Sequence, residues 1–202
     1  VPGLRWVRED RPRDRRRLSV AFAERVMGSG IAAGLASALA AVLFSRAENR
    51  HAARPMNAIA HIADGGSPPA DDGPSHRNTA LGFATHMGAS VWWAVFFEAL
   101  FGDRARRSAR DAVAGGAAIA ATAYVVDYHV VSRRFRPGFE HYLSRPAMLT
   151  LYASLAAGFA LSAWLSRLDH HQVEDSDERQ EGRPSERSPD GVVTPEQRRQ
   201  RR

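Results

Sequence analysis

Seven ionisable residues lie in the apolar stretches of the sequence or in the loops between them, and a charge within an apolar stretch is costly and needs a reason. They are His61, His76, His86, Asp127, His129, Glu140 and His141. His86, Asp127 and His129 most need an explanation, and because imidazole titrates near neutral pH and a neighbouring carboxylate can tune it, these three could bind a substrate or relay a proton. Neutral imidazoles and a carboxylate could also ligate a metal such as zinc.

A plainer interpretation places these side chains at headgroup depth or in hydrogen bonds between helices. Tyr124 and Tyr128 would then supply partners, and Asp127 would pair with Arg133 or Arg134. We favour this interpretation, because no HExxH or similarly close spacing indicates a metal site. The sequence therefore assigns no catalytic residue, predicts no cofactor and leaves open whether a metal binds.

Four nearly uncharged stretches must position these residues. They comprise residues 21–44, 80–101, 112–131 and 147–166. The mean hydropathy of the whole chain, -0.36, conceals them, because the 25% of residues that are charged lie mainly in the tails and loops. Each stretch is about the 20 residues that a bilayer-crossing helix needs.

We therefore predict an all-α protein, a four-helix transmembrane bundle with disordered termini. Residues 1–19 form a basic N-terminal arm, residues 20–166 the bundle, and residues 167–202 a charged C-terminal tail. A secretory signal peptide is the rival interpretation of the first stretch. Glu24 and Arg25 interrupt its apolar run and further spans follow, so we prefer a spanning helix.

Small residues at one-turn spacing predict how the spans pack, because lipid gives helices no hydrophobic reason to associate. Gly30 and Gly34 form a GxxxG step in the first span. In the second span His86 shares a helix face with Gly82 and Ser90, so we expect it to point into the bundle. Similar stripes contain Gly116 in the third span and Gly158 in the fourth.

Arginine distribution predicts the orientation. All 28 basic residues are Arg, and with a net charge of +6 they cluster beside the apolar spans, as the positive-inside rule expects. Both termini are then cytoplasmic, although Arg133, Arg134, Arg136 and Arg145 conflict with this by lying outside. The order of the spans places all seven ionisable residues on one membrane face. Glu98 lies in the opposite half and is expected to pair with Arg104 or Arg106.

Five segments resemble a group of uncharacterised multi-pass inner-membrane proteins of proteobacteria. They are NAIAH (Asn57 to His61), HRNTALGFATH (His76 to His86), SVWWAVFFE (Ser90 to Glu98), VDYHVV (Val126 to Val131) and RFRPGFE (Arg134 to Glu140). The resemblance implies a location in the bacterial inner membrane. It implies no activity.

The function indicated by the sequence is a structural, binding or accessory role in the inner membrane. A small transporter or channel subunit is the alternative, and a membrane-embedded enzyme using His and Asp is a weaker one. We expect the lipid bilayer as the main partner, with a second copy or another membrane protein as a further one. Nucleic acid is not expected, because topology explains the Arg clusters more economically.

Overall fold

The regular structure is helical throughout the residues that the computed structural model describes, which are 12–48, 50–65 and 75–181. The α-helices are α1 Pro12–Ala47, α2 Arg54–Asp64, α3 His76–Leu100, α4 Gly102–Arg107, α5 Ala109–Val125 and α6 Arg145–Glu181. A π-helical turn, Val126–Val130, continues α5, and two 3₁₀ turns, Arg133–Phe135 and Phe139–His141, lie in the loop before α6. The prediction of an all-α protein is confirmed.

Within the described residues, three helical segments are long and apolar enough to cross a membrane. They are Leu18–Ala47, His76–Leu100 and Arg145–Leu168. Their limits lie within four residues of the first, second and fourth predicted spans. The third predicted span corresponds to α5 and the π-helical turn. Because the α-helical part has only 17 residues, it falls short of the roughly 20 that a crossing helix needs.

Paired contacts show that α1 and α3 run antiparallel. Ser29 of α1 meets Glu98 of α3, whereas Ser37, two turns further along α1, meets His86. Between these pairs the helices approach closely at Gly30, where an added Cβ would lie 2.6 Å from Cα of Val91. Small residues therefore set the spacing of α1 and α3, as the GxxxG step predicts.

Helix α6 packs on α1 and α5 through glycines of the predicted stripes. An added Cβ at Gly158 would overlap the backbone of Ala33 in α1, and one at Gly116 of α5 would overlap the carbonyl of Ala156. A side chain at either position would force two helices apart. Helices α1, α3, α5 and α6 thus pack as an antiparallel set, which we call the bundle.

Helix α2 lies inside the protein and not along its surface. Residues Met56 to His61 are all buried, including the polar side chains of Asn57 and His61. The closest approach is to α3, where an added Cβ at Gly82 would overlap the main-chain carbonyl of Met56. Asn57 strengthens this contact by accepting a 2.6 Å hydrogen bond from the hydroxyl of Thr79.

Serine caps begin three of the helices. Ser75 and Ser108 each accept a hydrogen bond from the amide three residues later, which satisfies one of the free N–H groups at the start of α3 and α5. Ser144 caps α6 in the same way. The carboxylate of Glu48, just beyond α1, accepts from the amide of Ser144 at 3.3 Å and so ties the end of α1 to the start of α6.

The chain divides into two units, residues 1–167 and 168–202. In the second, α6 continues to Glu181, so residues 168–181 are helical where composition predicts disorder. Extending an existing helix is easier than starting one, and Asp, Glu, Gln and Arg are tolerated there. Helix α1 similarly begins at Pro12, inside the predicted basic arm. Residues 1–11 and 182–202 of the predicted termini lie outside the described residues.

Candidate binding cavity

His86 and Asp127, which sequence reasoning singled out, line the same cavity. Its volume is about 190 Å³. The lining is mostly apolar and comes from α1, α2, α3, α5, the π-helical turn, the loop before α6, and α6. It consists of Ser37, Ile59, Ile62, Thr85, His86, Ala89, Ser90, Trp93, Ala123, Asp127, Phe135, Pro137, Phe139, Leu151, Tyr152 and Leu155. A few polar groups converging in an apolar hollow are typical of a small-molecule site.

The buried imidazole of His86 has a defined tautomer. Its Nε2 lies 3.1 Å from the carbonyl oxygen of Gly34 and 3.1 Å from the hydroxyl of Ser37. A carbonyl oxygen can only accept, so Nε2 carries the proton in the neutral ring. Nδ1 is then an acceptor, and it has no hydrogen-bond partner among the described residues.

Asp127 lies on the π-helical turn and reaches α6. Its Oδ2 accepts a 2.7 Å hydrogen bond from the hydroxyl of Tyr152. The plainer interpretation of the sequence paired this carboxylate with Arg133 or Arg134, but no ion pair joins them within the described part of the chain. Both arginines are exposed in the loop beyond the turn, whereas the turn directs Asp127 towards the bundle.

The loop between the π-helical turn and α6 covers one side of the cavity. Gly138 has a φ of +80°, a left-handed conformation that glycine adopts without a Cβ penalty. This turn places Phe139 inside the protein, only 3% exposed, with its ring edge-on to that of His86 at 6.5 Å. Phe135, by contrast, lines the same cavity while 50% exposed.

The other five candidate residues do not line this cavity. His61 is buried on α2, where its Nδ1 hydrogen-bonds the carbonyl oxygen of Ala58. His76 is exposed at the first residue of α3, and His129 is exposed with its ring 5.9 Å from that of Tyr124. Glu140 and His141 are also exposed, and Oε1 of Glu140 lies 3.8 Å from Nε2 of His141.

No three His, Asp or Glu side chains converge as a metal centre would require within residues 12–48, 50–65 and 75–181. The hypothesis of a metal held by the sequence-derived set therefore gains no support from their placement. The pair that shares a cavity, His86 and Asp127, is too small a ligand set for a structural metal site.

No family model, curated protein or solved structure matches this chain.

Tyr152 is the cavity residue that sequence reasoning missed. It lies in the fourth apolar span, and the predicted packing stripe of that span ran through other positions. One signal was available: Tyr in a lipid-spanning segment usually finds a hydrogen-bond partner for its hydroxyl. Its ring also packs edge-on against that of Tyr124 at 5.3 Å.

A second polar cluster lies at the opposite end of the bundle. Glu98, whose side chain is 2% exposed, forms a 2.8 Å ion pair with Arg106 of α4. Its other carboxylate oxygen accepts from the hydroxyl of Ser29, which also lies 3.2 Å from that of Ser162. The expected pairing of Glu98 with an arginine is present. The carboxylate is fully engaged, so this cluster joins α1, α3, α4 and α6.

An apolar layer separates this cluster from the cavity. Phe97 and Phe159 are both completely buried, with their rings stacked at 5.0 Å. Ala33 and Ala94 are also completely buried, and Gly158 packs directly on Ala33. The polar groups of the two ends are therefore not connected through the centre of the bundle by described side chains.

Proposed function

We propose that this chain is an integral protein of the bacterial inner membrane whose four crossing helices enclose a binding site for a small, largely apolar molecule. The role is one of binding, without catalysis. The observation that carries the proposal is the cavity that brings His86 and Asp127 together in apolar surroundings.

The distribution of side chains supports a lipid environment. Large apolar residues are exposed at four-residue intervals along α1, at Met27, Ile31, Leu35, Leu39 and Leu43. Polar residues are buried instead, among them Ser29, Ser37, His86, Ser90 and Glu98. A protein in water would expose its polar groups, whereas in a bilayer apolar side chains face lipid and polar ones hydrogen-bond between helices.

Helix α5 supplies the proposed fourth crossing. With the π-helical turn it spans Ala109 to Val130, which covers roughly 30 Å, about the thickness of the hydrocarbon core. It packs antiparallel to α6 through Gly116 and through the bond from Tyr152 to Asp127. Four crossings place both termini and α4 on one side, and the arginines there favour the cytoplasm.

Four crossings can be tested with single cysteines, because the chain contains none. We expect cysteines replacing the exposed residues Asp103 and His141 to react with an impermeant maleimide from opposite sides of the membrane. Labelling of both from the same side would show that α5 does not cross. As a control, both cysteines should react with the maleimide after the protein is solubilised in detergent, because the membrane then no longer protects either side.

Binding is favoured over transport because the buried apolar layer around Phe97 and Phe159 interrupts any polar path through the centre. An apolar molecule can reach the cavity from the side, since Ala89 of α3 and Phe135 line it and are exposed. The volume of about 190 Å³ exceeds the roughly 150 Å³ of a cavity that holds benzene.

Ethylbenzene is a suitable neutral probe of the cavity. We expect the purified protein to bind it, and we expect Ala89→Trp to weaken binding about tenfold by obstructing the mouth. Ala84→Trp is the matched control, because Ala84 is exposed on the same helix but does not line the cavity. Equal binding by the wild type and both variants would indicate detergent partitioning and refute the site.

A membrane enzyme, the weaker alternative from the sequence, is the second candidate function, because His86 and Asp127 line one cavity. General acid–base chemistry would require Nδ1 of His86 and the carboxylate to contact the same substrate. If the protein is an enzyme, His86→Asn should abolish turnover while ligand binding persists. If its role is binding alone, the same variant should only change the affinity for the ligand.

A further inference from the structure

We propose that the cavity selects an organic ammonium, a protonated amine on a ring or a short apolar chain. Its N–H groups would donate to Asp127 and to Nδ1 of His86. This inference rests on the proposed binding function and specifies its ligand.

The hydroxyl donors of the lining are already engaged. The hydroxyl of Ser37 donates to the carbonyl of Ala33 at 2.8 Å, and that of Tyr152 donates to Asp127. Thr85 and Ser90 each donate to the carbonyl four residues earlier on α3, at 2.8 and 2.9 Å. These four hydroxyl protons are therefore directed into the protein and away from a ligand.

Two hydrogen-bond acceptors of the lining remain available to a ligand. Nδ1 of His86 has its lone pair available, because the proton is on Nε2. Oδ1 of Asp127 has no hydrogen-bond partner among the described residues, since Tyr152 bonds Oδ2. A ligand that only accepts hydrogen bonds would leave both groups unsatisfied, which is costly in an apolar cavity. The complementary ligand is a donor.

Charge favours a cation over a neutral donor. None of the described arginines lines the cavity, so the carboxylate of Asp127 has no counterion among its lining residues. A buried charge without a partner is strongly unfavourable, and a bound ammonium would supply the partner. Charge-assisted hydrogen bonds are also roughly twice as strong as neutral ones.

Aromatic walls add to this preference. Trp93, Phe135, Phe139 and Tyr152 all line the cavity. The faces of such rings attract an ammonium group, most strongly where water is excluded. Their apolar area also accommodates the ring or chain that carries the amine, which explains why so few polar groups are needed.

Three probes with the same ring separate these contributions: benzylamine, benzyl alcohol and ethylbenzene. They present an ammonium, a neutral donor and an apolar group, respectively, at the same position. Isothermal titration of the full chain in detergent should give benzylamine an affinity at least about tenfold above that of ethylbenzene, with benzyl alcohol between them. Asp127→Asn should weaken benzylamine about tenfold and remove most of its preference over ethylbenzene.

Asp111→Asn is the matched control, because Asp111 is an exposed acid near the start of α5, the helix that the turn of Asp127 continues, and it does not line the cavity. It should change none of the three affinities. If wild-type protein binds ethylbenzene as tightly as benzylamine, the ammonium proposal is overturned while the binding function stands. If it binds none of the probes, both fail. The wild-type comparison decides the question even if Asp127→Asn does not fold.

Discussion

The hydroxyl of Tyr152 donates a 2.7 Å hydrogen bond to Asp127, and this bond joins α6 to the π-helical turn that ends α5. Without this bond, neither oxygen of the Asp127 carboxylate would have a hydrogen-bond partner among the described residues. The position of Asp127, and with it the shape of the cavity, therefore depends on a residue of another helix.

Tyr152→Phe should lower stability by about 1–3 kcal/mol, because it removes the hydroxyl group and leaves Oδ2 of Asp127 without a hydrogen-bond partner in a mostly apolar cavity. Thermal unfolding in detergent measures the effect. Tyr124→Phe is the matched control, since Tyr124 is 40% exposed and contributes ring contacts. Equal melting temperatures for the two variants would mean that the bond to Asp127 contributes nothing.

Gly82→Ala should separate α2 from α3, because the new Cβ would overlap the carbonyl of Met56. Backbone at the contact cannot move aside as a flexible side chain could, so we expect a loss of about 2 kcal/mol or more. Gly88→Ala on the same helix meets nothing within 4 Å and should leave stability unchanged or slightly raised. Protease sensitivity of the segment around α2 provides a second measurement. If Gly82→Ala is as stable and as resistant to protease as Gly88→Ala, α2 and α3 do not approach closely at Gly82.

The sequence predicted those features that depend on composition along a single helix. Three apolar segments match helices of the right length, and the inward face of α3 was correct, with Gly82, His86 and Ser90 all buried. Both features depend on the apolar length of one helix or on the spacing of small residues along it, which can be read from the sequence of that helix alone.

The features that the sequence missed depend on contacts between distant segments. Helix α2 reads as amphipathic, yet the bundle buries its polar side too, through Asn57 and His61. The sequence predicted that all seven candidate residues share one membrane face, but they do not form one cluster, since His76 is exposed and His86 is buried. The partner of Asp127 came from α6, 25 residues away in sequence, and no local pattern indicates that pairing.

Phe139→Ala should destabilise the protein by about 3 kcal/mol, because it removes a ring that is only 3% exposed from beside His86. Phe135→Ala, in the same loop, should cost less than about 1 kcal/mol, since that ring is 50% exposed. Unfolding of both variants in one detergent gives the comparison. Similar losses would show that the loop does not place Phe139 inside the bundle.

Arg106→Ala should lower stability more than the loss of an exposed arginine does, because it leaves Glu98 charged and buried without its partner. Removing one member of a buried ion pair typically costs about 3–5 kcal/mol. Arg107→Ala is the matched control on the same short helix, where Arg107 is exposed. Adding Glu98→Gln to Arg106→Ala should recover part of the loss, since a neutral amide can still accept from Ser29. Failure of the second change to restore any stability in thermal unfolding would mean that Arg106 acts through packing alone and not through the charge of Glu98.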